Sequence, residues 1–160
     1  IWMNGKLVPF KNAKVHVLTH ALHYSTSIFE GIRCYNTPNG SAIFRLPEHI
    51  DRLFNSAKLY SMKIPYSKKQ ITDGIIKTVK ASKLKECYIR PLAYYGYGTM
   101  GLTPIKNNVD VYYILFSQLA LDHIKQELYD ICSQKNYHYL RLEFLVRFYM
   151  VDLPQEFQQP

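Results

Sequence analysis

Apolar and polar positions sort most of the first 116 residues into short strands and two helices. Ile1-Trp2-Met3 and Lys6-Leu7-Val8 flank Asn4-Gly5, which supplies the two positive-φ positions of a type I′ turn, so a hairpin is predicted. Val15 to Leu18 reads as another short strand. Ile28 to Tyr35 is an apolar and aromatic run interrupted by Gly31, where a glycine marks a bulge or the close approach of another group. Asn36 to Gly40 has turn chemistry, and Ala42 to Arg45 reads as the returning strand.

Helical spacing follows. Pro47 and Glu48 suit a first turn, and Ile50, Leu53, Phe54, Ala57 and Tyr60 fall on one apolar stripe. A second helix is predicted over Lys68 to Ser82, with Ile71, Ile75, Ile76 and Val79 inward. Cys87 to Tyr95 and Val109 to Phe116 read as long strands joined by the glycine-rich segment Gly96 to Gly101. Strands, then two helices, then strands argue for an α+β fold, a largely antiparallel sheet with helices packed on one face. Beyond Ser117 the pattern loosens. Leu119 to Cys132 is compatible with a helix, Tyr137 to Val151 lacks clear turn chemistry, and Gln155 to Pro160 reads as a frayed end.

Composition changes this picture little. The chain has 160 residues, 48% apolar and 20% charged, enough for one ordinary domain. Its 14 tyrosines mean that many buried rings need a partner for the hydroxyl. The net charge is +8, but the basic residues are dispersed and no zinc-finger or RNA-binding signature accompanies them, which argues against nucleic acid. A basic balance also suits anionic substrates and a phosphate-bearing cofactor. Cys34, Cys87 and Cys132 form no CxxC pair, which points to reduced thiols and a cytoplasmic setting. His16, His20 and His23 share a spacing open to metal binding, but no cysteine or carboxylate cluster supports it, so structural roles are expected and no metal site is assigned. No apolar run has the length of a membrane span.

Several residues have a chemical reading of their own. Tyr88 and Arg90 alternate on a strand, so a phenol and a guanidinium share one face, a reasonable anchor for a carboxylate. They are equally readable as half-buried strand residues. Arg52 lies on the first helix beside its apolar stripe, and by spacing alone it is an ordinary surface arginine. Gly96, Gly98 and Gly101 fit G-x-G-x-x-G, yet no helix follows and no acidic partner stands at the required distance, so a dinucleotide cradle is disfavoured.

Taken together, Ala21-Leu22-His23-Tyr24, Phe29-Glu30-Gly31-Ile32-Arg33 and Tyr88-Ile89-Arg90-Pro91 stand in the order and approximate spacing of the fold-type IV aminotransferases, and the chain most resembles the branched-chain amino-acid type. The resemblance implies the N-terminal domain of that fold and pyridoxal 5′-phosphate as cofactor. It implies transfer of an amino group from leucine, isoleucine or valine to 2-oxoglutarate, and a homo-oligomer, dimer or larger. Arg52, in His49-Ile50-Asp51-Arg52-Leu53, matches the family arginine on the cofactor phosphate. Phe29 and Gly31 match pocket walls, and Arg33 an arginine beside the site. Tyr88 matches a contact to the substrate carboxylate, and Arg90 a residue that admits the acidic side chain of glutamate. Tyr24 matches a tyrosine reaching the partner subunit's pocket, and Met100 and Leu102 lie in a loop used as a pocket wall.

The family pattern stops near Phe116. Transamination in the family depends on a lysine that holds the cofactor and moves the substrate proton, carried by a C-terminal domain. Lys125 has no supporting motif, and Lys135-Asn136-Tyr137 echoes the family's lysine motif at too short a spacing. The expectation is an N-terminal small domain over 1–116 and a divergent tail over 117–160, such as a frameshift leaves. The lysine-bearing domain and any catalytic residue are then absent, and the chain alone has no turnover. The alternatives are a non-catalytic fragment or pseudoenzyme module, or another fold-type IV enzyme such as a D-amino-acid aminotransferase or an aminodeoxychorismate lyase.

Overall fold

The computed structural model describes residues 1–117 and, beyond them, Ala120, Asp122, His123 and Gln126. Ile1–Gln118 forms one compact unit. The readings for the rest of the tail, including Lys125 and Lys135, lie outside the described residues.

The strands are β1 (Trp2–Met3), β2 (Lys6–Leu7), β3 (Ser27–Phe29), β4 (Ile32–Thr37), β5 (Gly40–Ile43), β6 (Cys87–Tyr95) and β7 (Val109–Phe116). The helices are α1 (His20–Tyr24), α2 (Leu46–Leu59) and α3 (Lys68–Ser82). One sheet runs β2-β1-β7-β6-β4-β5, with β3 also on β6, and the pairings are antiparallel. This is the α+β arrangement expected from the pattern. In the β1–β2 hairpin Asn4 (φ 46°) and Gly5 (φ 93°) take the turn positions predicted for them.

Two expectations need correction. Val15 to Leu18 is a turn and not a strand: the Leu18 amide donates to His16 Nδ1 and the Thr19 amide to the His16 carbonyl. Val15, Val17 and Leu18 are exposed, so nothing buries the face a strand would need. The next hairpin is tighter than read. β4 runs on to Thr37 and the return strand is Gly40–Ile43, because Gly40 at φ 104° closes a short turn and Arg45 at φ 45° already breaks the chain before α2.

The long strands β6 and β7 and helix α3 occupy the residues predicted for them. α3 begins with a capping box, Ser67 Oγ accepting from the Gln70 amide while the Gln70 side chain accepts from the Ser67 amide. Ile50, Leu53 and Ala57 of α2 and Ile71, Ile75 and Val79 of α3 are buried, and they pack in one core with Trp2, Ile32, Ile89, Ala93, Val111 and Tyr113 of the sheet. Tyr60 ends α2 half exposed and does not complete the stripe. Tyr113 is fully buried, yet its hydroxyl has no hydrogen-bond partner among the described residues.

One irregularity positions the site. β3 and β4 hold the same register along β6, Phe29 opposite Leu92 and Ile32 opposite Ile89, but the ladder fails between them at Glu30-Gly31. Pro91 lies opposite that gap and has no N–H to donate, so only the Glu30 amide to Pro91 carbonyl bond remains (3.0 Å). Side-chain alternation continues through the gap. Ile28, Glu30, Ile32 and Cys34 are buried on the helix side, while Phe29, Gly31 and Arg33 belong to the other face.

Candidate functional site

Glu30 lies in the strand gap and, by the same alternation as Ile28 and Ile32, faces the helix side, where it meets α2. Its carboxylate is 3% exposed, and burying a charge there is costly unless it is paired. Arg52 pairs it from both nitrogens of one edge, Nε to Oε1 and Nη2 to Oε2, each at 2.6 Å. His49, one helical turn earlier, places Nδ1 2.9 Å from Oε2, and because an ionised carboxylate only accepts, that nitrogen carries the hydrogen. The hydrogen bond to Glu30, larger in effect than desolvation, raises the pKa of Arg52 further above its ordinary value. The Arg52 side chain stays 64% exposed, and its Nη1 nitrogen makes no hydrogen bond among the described residues. A fixed, always-charged donor edge of this kind suits a phosphate oxygen.

On the other face of the same strands a second cluster forms. Arg90 Nη2 donates to the Tyr88 hydroxyl (3.1 Å), and its guanidinium lies over the Phe29 ring at 4.4 Å and near the Tyr88 ring at 5.2 Å. A Cβ built on Gly31 would overlap the Tyr88 hydroxyl and fall 2.9 Å from its Cζ, so only glycine leaves room for this phenol. Arg33 stands opposite Tyr88 on β4, its guanidinium 5.5 Å from the Tyr35 ring centre. Phe29, Gly31, Arg33, Tyr88 and Arg90, named separately from sequence, are thus neighbours on one sheet face, with an apolar wall beside a cationic and a phenolic group.

Tyr24 meets the loop that carries Met100 and Leu102. The Tyr24 hydroxyl donates to the Met100 carbonyl (3.3 Å), and Leu102 is exposed two residues further on. The loop has its own scaffold. Asn107 is buried and fully engaged: its Nδ2 donates to the Gly96 and Thr99 carbonyls, and its Oδ1 accepts from the Thr99 amide and hydroxyl. His20, also buried, donates from Nε2 to the Gly101 carbonyl and meets the Thr26 hydroxyl with Nδ1. The G-x-G-x-x-G segment therefore wraps an asparagine side chain, and its Gly96 and Thr99 amides are already spent inside the protein. His16 accepts from the Leu18 amide and His23 pairs with the Val17 carbonyl, so these two hold one turn while His20 holds the Gly101 loop, and each ring is engaged in local structure.

Three residues of this arrangement escaped the sequence reading as individuals: Glu30, His49 and Asn107. Glu30 had a visible signal, a lone acid inside an apolar strand. Asn107, in the pair Asn107-Asn108, had none.

The family model described as amino-transferase class IV matches residues 27–143, running past Phe116, where the motif resemblance ends. The chain is 50% identical over 102 residues to a branched-chain-amino-acid aminotransferase of Pseudomonas aeruginosa, covering 64% of this chain and 33% of that protein. It is 44% identical over 104 residues to the enzyme of the same name from Escherichia coli K12, covering 65% and 34%. The fold matches a T.th. branched-chain amino acid aminotransferase complexed with N-(5′-phosphopyridoxyl)-L-glutamate at a TM-score of 0.71 and 47% identity, over 72% of this chain and 39% of that one. An Escherichia coli branched-chain amino acid aminotransferase matches at 0.70 and 41% identity, over 72% and 38%. The chain spans about a third of the length of the curated relatives it matches. Among the described residues no helix is long and apolar enough to cross a membrane.

Proposed function

Because this chain belongs to the class IV amino-transferases, we propose that its described residues form the phosphate anchor and substrate wall of a pyridoxal 5′-phosphate-dependent branched-chain aminotransferase. The observation that carries the reading is Arg52, gripped along one edge by buried Glu30 and left with a donor nitrogen unbonded among the described residues. It occurs in a chain 47% identical to a protein solved with a phosphopyridoxyl group bound.

In this reading Arg52 holds the cofactor phosphate. The cofactor, when bound, carries the amino group between an amino acid and a 2-oxo acid. Phe29 provides the apolar wall for a branched aliphatic side chain, and Gly31 keeps the Tyr88 hydroxyl in place. Tyr88 and Arg90 offer a hydroxyl and a guanidinium to the carboxylates of the substrates, with Arg33 beside them. Tyr24, Met100 and Leu102 belong to a wall completed in a homodimer or larger assembly. Residues 1–116 act as the small domain of such an enzyme.

Pyridoxine 5′-phosphate tests the anchor, because it carries the phosphate without an aldehyde that would react with surface lysines. Titrated into the 160-residue chain and followed by ¹⁵N NMR, it is expected to move the Arg52 Nε–H signal in a saturable way. Pyridoxine should not, and Arg52→Ala should abolish the response. For the substrate wall the probe is 4-methylvaleric acid, with which the T.th. enzyme has also been solved. It should perturb Phe29, Tyr88 and Arg90 at concentrations where acetate does not, and equal responses to both acids would overturn the branched-chain assignment.

A further inference from the structure

Among the described residues no aspartate or glutamate other than Glu30 is buried. Its burial has a definite geometry. The Glu30 backbone is fixed to the sheet through its bond to the Pro91 carbonyl. Its carboxylate accepts both bonds from Arg52 and a third from His49. Arg52 itself projects from α2 on a long, flexible stem and is mostly exposed. The orientation of its guanidinium is therefore set from the strand gap and not from its own helix. Accounting by charge alone makes Glu30 unfavourable for anion binding, since it offsets the positive charge of the group that would bind. Its placement makes sense if orientation matters more than net charge.

We infer that Glu30 is the positioning residue of the anion anchor: its carboxylate fixes the guanidinium plane of Arg52 and leaves Nη1 as the donor for a phosphate. This rests on the reading of Arg52 as the phosphate anchor. The adjacent residues Glu30 and Gly31 then serve both ends of the site, Glu30 facing Arg52 on one side of the sheet and Gly31 leaving room for Tyr88 on the other.

The two explanations give opposite signs for Glu30→Gln. If charge dominates, neutralising Glu30 tightens phosphate binding. If positioning dominates, binding weakens by roughly tenfold, the low end of the loss seen when a partner that orients a metal-ligating side chain is removed. The 160-residue chain, its Glu30→Gln variant and its Arg52→Ala variant are titrated with pyridoxine 5′-phosphate and with inorganic phosphate, read by NMR. Weaker binding of both probes by Glu30→Gln, with the Arg52 Nε–H signal averaged toward that of a free arginine, supports the inference. Unchanged or tighter binding overturns it while leaving Arg52 as the anchor. Undiminished binding by Arg52→Ala overturns the anchor reading itself. Should Glu30→Gln lose its near-ultraviolet circular dichroism, Glu30→Asp takes its place. Aspartate keeps the charge and leaves Arg52 intact, but its side chain is one methylene too short to hold both guanidinium nitrogens, so unchanged affinity there overturns the inference and a loss supports it.

Discussion

On the helix side of β6, Cys87, Ile89 and Ala93 share one core with the aliphatic stripes of α2 and α3, and Pro91 between them is also buried. One residue away along the same strand, Tyr88 and Arg90 point to the opposite face and meet Phe29, Gly31 and Arg33. The backbone is common to both, so the period of two alone separates a packing surface from a chemical one. Glu30 is the exception, a charge on the packing side, and there it meets an arginine at its edge. The comparison shows how a strand hosts reactive groups without loosening its core: the groups occupy alternate positions, and the single charge that crosses over arrives paired.

The strongest test of the contrast is a pair of truncations. Ile89→Ala, at a fully buried position, should cost about 2–5 kcal/mol of unfolding free energy, whereas Phe29→Ala, at a half-exposed one, should cost about 1 kcal/mol or less. Urea unfolding of both variants checks this, and similar losses would break the distinction between the faces.

Next in size, Gly31→Ala should destabilise by roughly 1–3 kcal/mol, because the new methyl group overlaps the Tyr88 hydroxyl. The double variant Gly31→Ala/Tyr88→Phe should recover part of that loss. Additive costs in a double-mutant cycle would show that the phenol is not what demands glycine.

The third test is alkaline pH. Burial, reinforced by the neighbouring Cys34, pushes the Cys87 thiol from an ordinary value near 9 up to about 12, and burial also raises Tyr113. The folded protein keeps these protons where the unfolded chain has lost them. Their stabilising contribution is therefore complete below pH 9 and is lost as pH rises toward 12. Urea midpoints at mildly and then strongly alkaline pH should fall as pH rises, and Cys87→Ala should flatten the fall. A midpoint that rises with pH would contradict the burial of these groups.

The smallest effect has the opposite sign from most core substitutions. Tyr113→Phe removes a buried hydroxyl that has no partner among the described residues, while its ring keeps its stack on Trp2 (4.5 Å between centroids). Stability should be unchanged or higher by up to about 1 kcal/mol. A clear loss on thermal unfolding would mean that the hydroxyl has a partner in solution.

Local patterning is legible wherever one interaction range dominates. Asn4-Gly5 dictates its turn through φ, the stripes of α2 and α3 follow from 3.6-residue spacing, and β6 and β7 follow from long stretches rich in β-branched and aromatic residues between turn segments. Val15 to Leu18 departs from its pattern because an apolar run becomes a strand only where a neighbour accepts its ladder, and there the side chain of His16 claims the backbone first. The site residues can be named individually from the family motifs, and their types suggest carboxylate and phosphate chemistry.

The sequence by itself therefore determined the elements, the α+β class and the residue types available for chemistry, because those depend on near neighbours along the chain. Only the tertiary structure decided that Pro91 opposes Glu30, that the buried acid there meets an arginine 22 positions away, and that Asn107 rather than a ligand fills the glycine-rich loop. These are encounters between distant segments. Their outcome rests on strand register, on which donors each backbone has left to give, and on the cost of burying a charge alone.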